Sequence, residues 1–328
     1  MTPYLERLRN DHPPPYSEVA VLIPCYNEES TIGRVVDDFR RALPGSIIYV
    51  YDNNSTDETA DIARKHGAIV RSEARQGKGN VVRQMLRDID MPFYLMVDGD
   101  DTYPADKAPE LLCPLYEGSA DMVVGDRLSN GSYESENKRA FHGLGNWLVC
   151  ALIKLLYGFS YNDVMSGYRA FNRQFASLLP VLSDGFQIET EISIHAVDKQ
   201  WRIAQVPIDY RDRPEGSVSK LSTLNDGVKV LLTIGSLFKD YRPMALFGLL
   251  SAFLLILGLC FGLPVVLEFS QTGLVPRLPT AIVAAALVGA SALSLVCGLI
   301  LDTVVKENRK TYSLQATGSF HAEGRLSR

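Results

Sequence analysis

Two stretches of the sequence, 244–267 and 280–301, contain no charged residue. Each is longer than the roughly 20 residues that a helix needs to cross a hydrocarbon core of about 30 Å. The short segment between them, 268–279, contains Gly and Pro, which favours a tight connection. The sequence therefore predicts a hairpin of two membrane-spanning helices. The alternative is a pair of helices buried inside a large soluble core.

Basic residues flank the predicted hairpin at both of its outer ends. Lys239 and Arg242 precede the first span, and Lys306, Arg309 and Lys310 follow the second. Cytoplasmic flanks of spans carry an excess of Lys and Arg, so both ends of the hairpin are expected in the cytoplasm. We predict a multi-pass protein of the cytoplasmic (inner) membrane whose large N-terminal domain and two termini are cytoplasmic.

The sequence also predicts roles for the N-terminal segment and for the segments on either side of the hairpin. The first 17 residues are charged and proline-rich without the apolar core of a signal peptide, and they predict a flexible N-terminal arm. Apolar residues recur at helical spacing within 221–241, which indicates an interfacial helix in a juxtamembrane region at 216–243; an ordinary amphipathic helix packed on the domain is the alternative. The hairpin region is 244–303, and a cytoplasmic tail follows at 304–328.

Residues 18–215 show the alternation of an α/β domain. Short runs rich in Val, Ile, Leu and Tyr occur at 18–24, 46–52, 68–71 and 93–98, with helical stretches between them. This order predicts a mainly parallel, Rossmann-like sheet with helices on both faces. The second helix is expected to open at Ser55, whose spacing to Glu58 matches a capping box.

Polar clusters follow four of the predicted strands, at 25–29, 52–57, 98–101 and 126–127. Sheets of this kind bind ligands beyond the carboxyl ends of their strands. The cluster Asp98-Gly99-Asp100-Asp101 brings three carboxylates together, which repel each other unless a cation neutralises them. Hard oxygen ligands suit Mg²⁺ or Mn²⁺. The alternative is a solvated acidic turn.

Two further segments predict anion binding. Gly77-Lys78-Gly79 opens a predicted helix, where backbone amides and one lysine form an anion site; a flexible turn is the alternative. The run 210–220 carries Arg211, Arg213 and Lys220 directly before the predicted interfacial helix. These cations could bind a phosphate at the membrane surface, or serve only to attract anionic lipid. The five histidines show no ligand spacing, and no catalytic triad pattern is present, so covalent catalysis is not indicated.

Seven motifs occur in a single order along the chain. They are IPCYNEE at 23–29, YDNNSTDET at 51–59, GKG at 77–79, VDGDD at 97–101, VGDR at 124–127, SGYRAF at 166–171 and the run 213–220. In this order they resemble the family-2 inverting glycosyltransferases of the GT-A fold, specifically the polyprenyl-phosphate sugar synthases that include dolichyl-phosphate mannose synthase. The resemblance covers about residues 18–221, and the C-terminal hairpin is similar to that of the membrane-anchored bacterial branch.

The resemblance implies roles for the matching residues. Those implied to hold the nucleoside are Pro24, Tyr26, Glu28 and Asp52, with Lys78 near the nucleotide. Asp98 is implied on the ribose or metal side and Asp100 on the divalent ion, Mg²⁺ or Mn²⁺. Those implied to meet the donor diphosphate or the lipid phosphate are Arg127, Arg213, Ser219 and Lys220. Asp163 and Arg169 match the acceptor-side loop, where we expect Asp163 to orient the acceptor without acting as an obligatory base.

The resemblance also implies the reaction. A hexose would pass, with inversion, from a nucleotide-diphosphate sugar to a polyprenyl phosphate at the cytoplasmic membrane face. UDP-glucose or UDP-N-acetylglucosamine is favoured as donor over GDP-mannose. The implied partners are the donor, the lipid acceptor and the bilayer, with no nucleic acid. Small residues at 284–292 additionally favour a homo-oligomer through the spans.

Two other functions stay open on the sequence. A processive polysaccharide synthase shares the nucleotide motifs, but two spans make a poor channel. Its Gln-x-x-Arg-Trp motif is also missing, since Gln200-Trp201-Arg202 has the wrong order. The second is a catalytically silent membrane scaffold that binds a nucleotide sugar or anionic lipid, which the intact carboxylates disfavour.

Overall fold

The computed structural model describes residues 16–129, 140–185, 187–211, 239 and 241–326. The chain divides into two compact units, Met1–Gly227 and Val228–Arg328. The predicted interfacial segment 221–241 lies, apart from Lys239 and Tyr241, outside the described residues.

The first unit is built on a seven-stranded sheet with the order β3-β2-β1-β4-β6-β5-β7. Its strands are β1 (Val19–Cys25), β2 (Ile47–Asp52), β3 (Ile69–Ser72), β4 (Phe93–Met96), β5 (Met122–Asp126), β6 (Arg169–Asn172) and β7 (Ile203–Pro207). Strand β6 runs antiparallel to both of its neighbours, and all other pairs are parallel. The predicted mainly parallel α/β sheet is therefore confirmed.

Seven α-helices accompany the sheet in the described part of this unit. They are α1 (Ile32–Ala42), α2 (Thr59–Lys65), α3 (Lys78–Asp88), α4 (Ala108–Tyr116), α5 (Ala140–Tyr157), α6 (Arg173–Ser177) and α7 (Ile188–Asp198). Helix α1 shows why they pack as they do, since Ile32, Val35, Val36 and Phe39 recur at helical spacing and are all buried in the core. The central strand β1 is apolar on both faces, as expected of a strand covered by helices on both sides.

The predicted capping box at Ser55 is wrong. Helix α2 begins at Thr59, and the Ser55 hydroxyl instead accepts a hydrogen bond from the Asn27 amide at 2.9 Å. Asp57 supports the start of the helix, because its carboxylate accepts from the Thr59 amide at 3.0 Å. The loop after β2 is thus held to the loop after β1, a long-range contact that the local spacing does not reveal.

The second unit is a hairpin of α8 (Pro243–Thr272) and α9 (Leu278–Leu326). Both helices are long and apolar enough to cross a membrane, by length and composition. They run antiparallel, since the Ser291 hydroxyl donates to the Ser251 carbonyl at 2.9 Å and the Ser294 hydroxyl donates to the Phe247 carbonyl at 3.0 Å. Helix α9 also continues through the charged segment that we expected as a tail.

Small residues bring the two hairpin helices together. A Cβ added to Gly258 would lie 2.9 Å from the Val288 side chain and 3.3 Å from the Ala284 carbonyl. Ala284 and Ser291 are both buried in the hairpin. Part of the small-residue run at 284–292 therefore serves packing within one chain, and it is a weaker argument for self-association than the sequence suggested.

Candidate active site

The loops after β1, β2 and β4 meet at the carboxyl edge of the sheet. The Asn53 amide donates to the Cys25 carbonyl at 2.9 Å, and the Thr31 hydroxyl donates to the Gly99 carbonyl at 2.7 Å. A Cβ at Gly99 would lie 2.7 Å from the Cys25 sulfur, so this approach requires glycine. The predicted gathering of polar loops at one edge is confirmed.

The four residues implied to hold a nucleoside lie at adjacent strand ends. Strand pairing sets Cys25 opposite Asp52, with Pro24 directly before it and Tyr26 directly after it. The Tyr26 ring is exposed, whereas Asp52 is buried and accepts from the Ser55 amide at 3.3 Å. Tyr26 therefore offers a surface for stacking.

Glu28, the fourth of these residues, is buried at the start of α1. Its amide donates to the Thr59 hydroxyl at 2.8 Å, and its carbonyl accepts from the Ile32 amide at 2.9 Å. The backbone of Glu28 is thus committed to joining α1 to the loop after β2. The ligand role implied for Glu28 would fall to its carboxylate and stays a prediction.

The three carboxylates of the acidic turn do not act together. Asp101, with a φ of 59°, is directed to Arg34 and forms an ion pair at 3.0 Å. Burial raises the pKa of Asp101 against the opposing effect of that arginine. Asp100 is buried and accepts from the Thr102 hydroxyl at 2.7 Å, and Asp98 contacts the ammonium of Lys78. The three carboxylates therefore have three different partners, and Asp101 is the one held in a structural ion pair with an arginine.

Asp98 and Asp100 both follow β4 and supply the hard carboxylate oxygens that suit a divalent cation. Within the described ranges no group of three His, Cys, Asp or Glu side chains is arranged to hold a metal. Mg²⁺, however, is commonly bound by one or two carboxylates, with substrate phosphates and water completing its shell. Thr102 orients one oxygen of Asp100. The donor chemistry is thus that of a metal shared with a phosphorylated substrate.

Lys78 lies between two carboxylates inside the site. Its ammonium contacts Asp98 and reaches the Glu189 carboxylate at 2.5 Å. Burial alone would lower the pKa of Lys78, but the two carboxylates outweigh it and hold that pKa above its ordinary value. Glu189 comes from the first turn of α7, and nothing in its sequence context distinguishes it from a surface glutamate.

The amides at the start of α3 are already occupied by protein groups. The Gly77 amide donates to the Asn53 side chain at 2.7 Å, and the Gly79 amide donates to the Asp184 carbonyl at 3.0 Å. A Cβ at Gly79 would lie 2.0 Å from the Ser183 carbonyl oxygen, so the glycine serves close backbone packing. The predicted backbone anion site is wrong at these two amides, because the Asn53 side chain and the Asp184 carbonyl already accept from them.

Arg127 and Asp163 form the most complete ion pair of the site. Two guanidinium nitrogens of Arg127 donate to the two Asp163 oxygens at 2.6 Å and 3.0 Å. The Asp163 side chain is fully buried and also accepts from the Met165 amide at 3.1 Å. Such bidentate pairs are strong and geometrically specific. Asp163 therefore acts on Arg127, and the structure does not present it to an acceptor as we expected.

Two tyrosines also lie beside Arg127. The Tyr210 ring lies 5.6 Å from the guanidinium carbon, within cation–π range. The Tyr103 hydroxyl accepts from Arg127 at 3.5 Å and from the Gly167 amide at 2.9 Å. Burial raises the pKa of Tyr103, which keeps its hydroxyl neutral. The sequence reasoning missed both residues, since an isolated tyrosine carries no signal of its partner.

Arg169 lies behind the site and not in it. Its side chain is fully buried in β6, and it donates to the Ser166 carbonyl at 2.8 Å and the Val164 carbonyl at 2.6 Å. Burial lowers the pKa of Arg169 below its ordinary value. The expected binding role is corrected to a positioning role for the loop that carries Asp163.

Helix α5 holds the same loop from the other side. The Asn146 side chain accepts from the Val164 amide at 3.1 Å and the Met165 amide at 3.2 Å, and it donates to the Asn162 carbonyl at 3.2 Å. One buried asparagine thus satisfies three backbone groups of the loop. Arg213, Ser219 and Lys220 lie outside the described residues, and their predicted roles stay predictions.

Comparison with known proteins agrees with this geometry. The profile of glycosyl transferase family 2 matches residues 20–178. Glycosyltransferase AglJ of Haloferax volcanii is 36% identical over 234 residues, which cover 70% of this chain and 75% of that protein. The chain belongs to glycosyl transferase family 2. A second relative, the dolichyl-phosphate hexose transferase of Haloferax volcanii, is 33% identical over 198 residues, covering 60% of this chain and 85% of that protein.

Solved structures of other proteins share the fold of the first unit. Glucosyl-3-phosphoglycerate synthase from Mycobacterium tuberculosis in complex with UDP matches with a TM-score of 0.54 and 24% identity, over 70% of this chain and 85% of that one. Its complex with Mn²⁺, UDP and glucosyl-3-phosphoglycerate matches with a TM-score of 0.52 and 22% identity, over 70% and 85%. The first unit of this glycosyltransferase therefore has the GT-A fold.

Proposed function

We propose that this family-2 glycosyltransferase transfers a hexose from a nucleotide-diphosphate sugar to a polyprenyl phosphate at the cytoplasmic face of a membrane. The observation that carries the proposal is the site at the carboxyl edge of the sheet. There the carboxylates Asp98 and Asp100 follow β4, and a bidentately held cation, Arg127, follows β5. The first group suits a metal-bound diphosphate and the second a phosphate anion.

Two further observations support the acceptor and the location. The relative from Haloferax volcanii is named for hexose transfer involving dolichyl phosphate, a polyprenyl phosphate. The chain also carries two helices that could cross a membrane, flanked by basic residues at both outer ends. An enzyme with a membrane-bound lipid substrate gains from such anchoring. The inner membrane and the cytoplasmic position of both termini are part of the proposal.

UDP-glucose and UDP-N-acetylglucosamine are the proposed donors, with GDP-mannose as the alternative. Solved members of the fold were crystallised with UDP. On this chain the exposed Tyr26 ring would stack on the base, and Asp52 lies at the adjacent strand end. Both donor classes share the diphosphate that the acidic pair would meet through its metal.

The proposed reaction requires little proton transfer by groups of the protein. A polyprenyl phosphate is already anionic near neutral pH, so its oxygen can attack the anomeric carbon without a strong base. The main task is to align the attacking and leaving groups and to stabilise charge on the departing nucleoside diphosphate. Arg127, held by Asp163 and the ring of Tyr210, is suited to fix a phosphate in one orientation. A single displacement inverts the anomeric centre.

Asp98 and Asp100 would hold Mg²⁺ or Mn²⁺, which as a Lewis acid neutralises negative charge on the diphosphate. Lys78 keeps Asp98 in place from the protein side, and Glu189 in turn fixes Lys78. Thr102 fixes one Asp100 oxygen. The protein groups around the metal position are thus oriented before any ligand arrives.

A donor screen tests the proposal. The purified full-length chain in lipid nanodiscs is incubated with a polyprenyl phosphate and, separately, UDP-glucose, UDP-N-acetylglucosamine and GDP-mannose. The expected result is one dominant lipid product with the mass of a polyprenyl-phosphate hexose, and release of nucleoside diphosphate only when the lipid is present. A growing glycan polymer would instead show a processive synthase. Donor binding without any release would show a silent scaffold.

A further inference from the structure

Tyr103 lies where the turn after β4 meets the acceptor-side loop. The residue is only 5% exposed, and its hydroxyl accepts a hydrogen bond from the Gly167 amide of that loop at 2.9 Å. Gly167 passes so close to the Asp98 carboxylate that an added Cβ would lie 2.6 Å from one of its oxygens. The same hydroxyl accepts from Arg127 at 3.5 Å. One phenol thus joins the surroundings of the proposed metal ligand to those of the proposed phosphate ligand.

Packing of the Tyr103 ring fixes the direction of its hydroxyl. The ring centre lies 5.4 Å from that of Tyr168 and 6.2 Å from that of Tyr210. Pro104 follows directly in the sequence and disfavours a helical backbone at Tyr103. A side chain that is already held in one orientation loses little freedom when it binds a ligand. The hydroxyl is therefore a preorganised polar group of the site.

The hydrogen-bond balance of the Tyr103 hydroxyl leaves its proton for another group. A phenol has one O–H donor in addition to its acceptor lone pairs. Among the residues that the structure describes, this hydroxyl accepts two hydrogen bonds and donates none. Buried donors in native proteins nearly always have an acceptor. A ligand oxygen beside Arg127 would be such an acceptor.

The electrostatic surroundings of Tyr103 make it a neutral hydrogen-bond donor. Burial raises the pKa of Tyr103 above its ordinary value, so the phenol keeps its proton near neutral pH. Four charged side chains also shift this pKa and therefore lie near the phenol: Arg127, Asp98, Lys78 and Asp163. The two hydrogen bonds donated to the oxygen polarise the O–H group and strengthen it as a donor. Such a donor beside an arginine suits an anionic phosphate oxygen.

We propose that the Tyr103 hydroxyl donates a hydrogen bond to a non-attacking oxygen of the acceptor phosphate, beside Arg127, and so turns the attacking oxygen toward the sugar. This inference rests on the proposed function for the identity of the acceptor. The acceptor phosphate is the assigned partner because both hydrogen bonds to the hydroxyl come from the acceptor side, from Arg127 and the Gly167 amide. The proton stays on Tyr103, which orients the phosphate without acting as an acid.

Steady-state kinetics of Tyr103→Phe in nanodiscs test the hydrogen bond. The variant loses the hydroxyl and keeps the ring that packs on Tyr168. At saturating donor we expect kcat/KM for the polyprenyl phosphate to fall about 30-fold, as for one hydrogen bond to a charged group, while the KM for the donor stays native. The matched control is Tyr168→Phe, whose lost hydroxyl donates to the Pro104 carbonyl at 3.3 Å, and it should keep native kinetics. Native kinetics of Tyr103→Phe, or an equal loss with donor and acceptor, would overturn the proposal.

A second replacement separates donation to a ligand from a structural role of the hydroxyl. Incorporation of 4-aminophenylalanine at position 103 places N–H donors where the hydroxyl was. Its amino group is a poor acceptor, so it can serve a phosphate but not the Gly167 amide. We expect this replacement to restore kcat/KM for the acceptor to within about threefold of the native value. If it is as impaired as Tyr103→Phe, the hydroxyl serves only to hold the loop, and the proposal is wrong.

Equilibrium binding separates this inference from the proposed function. A short, water-soluble isoprenyl monophosphate is titrated calorimetrically into the full-length chain in nanodiscs, with UDP and Mn²⁺ present. We expect Tyr103→Phe to bind this probe about 30-fold more weakly than the native chain, and Tyr168→Phe to bind it as the native chain does. That pattern without sugar transfer from any donor would contradict the proposed function and still support the hydrogen bond. Absence of binding by the native chain, or equal binding by Tyr103→Phe, would overturn the hydrogen bond.

Discussion

Neighbouring aspartates of the acidic turn have different partners and therefore different expected roles. Asp100 accepts a hydrogen bond from Thr102 and is the proposed metal ligand, whereas Asp101 is neutralised by Arg34. We expect Asp100→Ala to reduce sugar transfer about 100-fold or more, because the proposed metal would lose one of its two proposed carboxylate ligands. Transfer of radiolabelled sugar to extractable lipid measures the effect.

The matched control for Asp100→Ala is Asp106→Ala. Asp106 follows the same turn, but its side chain is 73% exposed and lies 3.8 Å from Arg211. This variant is expected to retain native activity, and Mn²⁺ binding followed by electron paramagnetic resonance should weaken only in Asp100→Ala. EDTA should abolish transfer by the native chain, and Mg²⁺ or Mn²⁺ should restore it. If Asp100→Ala, or the native chain in EDTA, transferred sugar at the native rate, the reaction would not require this metal.

Asp163 is the second residue whose role follows from its contacts. Because it is buried and bound to Arg127 through both oxygens, we treat it as a positioning residue and not as a base. Asp163→Asn leaves the partly buried Arg127 guanidinium without its counter-charge, and we expect the free energy of unfolding to fall by about 2 kcal/mol. Activity should fall about 100-fold without any change in the shape of the pH profile. Thermal unfolding and initial rates between pH 6 and pH 9 measure both.

A double-mutant cycle provides the control for Asp163. If Asp163 acts only through Arg127, the variants Asp163→Asn and Arg127→Lys should each lower activity, and the double variant should lose little more than the worse of the two. Additive losses would show that Asp163 contributes to activity independently of Arg127. Retained donor binding combined with a new, steep pH dependence in Asp163→Asn would identify a general base instead.

At the scale of the element, α7 is unusual because nearly every residue along it is buried, including Glu189, Glu191 and His195. Its buried polar side chains therefore bind other groups of the protein. Glu189 binds Lys78, and Glu191 accepts from the Leu182 amide at 2.8 Å and the Ser183 amide at 2.9 Å. The helix thus holds both the lysine of the site and the segment that covers the start of α3.

His195 makes the stability of this region depend on pH. Burial lowers the pKa of His195 to about 4, from 6.5 in an unfolded chain. A group with a lowered pKa contributes stability that is complete above pH 6.5 and is lost as the pH falls toward 4. Because of His195, we expect the free energy of unfolding to fall by about 2 kcal/mol between pH 7 and pH 5.

The measurement compares the native chain with His195→Gln by denaturant titration at both pH values. The variant lacks the titrating ring, so the stability difference between native and variant should shrink on acidification by the amount assigned to His195. Near-ultraviolet circular dichroism reports the packing of the neighbouring Phe175, whose ring centre lies 6.1 Å from that of His195. Parallel pH dependence of the two proteins would contradict the assignment.

At the scale of the whole molecule, the hairpin of α8 and α9 predicts a membrane topology. Basic residues lie at both outer ends, so the connection between the helices should be on the far side from the cytoplasm. In a chain whose five native cysteines are replaced, Leu274→Cys reports the connection and Leu314→Cys reports the part of α9 that follows the predicted span. Both leucines are exposed.

Labelling with a membrane-impermeant maleimide in spheroplasts reads the topology. Leu274→Cys is expected to react in intact cells, and Leu314→Cys only after permeabilisation. Reaction of both positions in intact cells, or the reverse pattern, would contradict the predicted orientation. Reaction of neither position until permeabilisation would indicate that the hairpin does not cross the membrane.

Much of the architecture was readable from the sequence because it depends on local patterns. The runs at 18–24, 46–52, 68–71 and 93–98 correspond to β1–β4 with shifts of two residues or fewer at their ends. The charge-free stretches lie within α8 and α9. Burial of a strand or exposure of a helix to lipid constrains every residue of the element, so the pattern repeats along the chain and can be recognised without partners.

The tertiary structure alone decided which polar groups work together. Lys78 with Glu189, Arg127 with Asp163, and Arg34 with Asp101 are pairs separated by many residues of chain, and Arg169 turned out to bind backbone behind the site. A charged side chain looks the same in the sequence whether it faces solvent, a ligand or another charge. Its partner depends on which loops the sheet brings within about 3 Å, the range of a hydrogen bond. That distance is a property of the folded chain and not of any local segment.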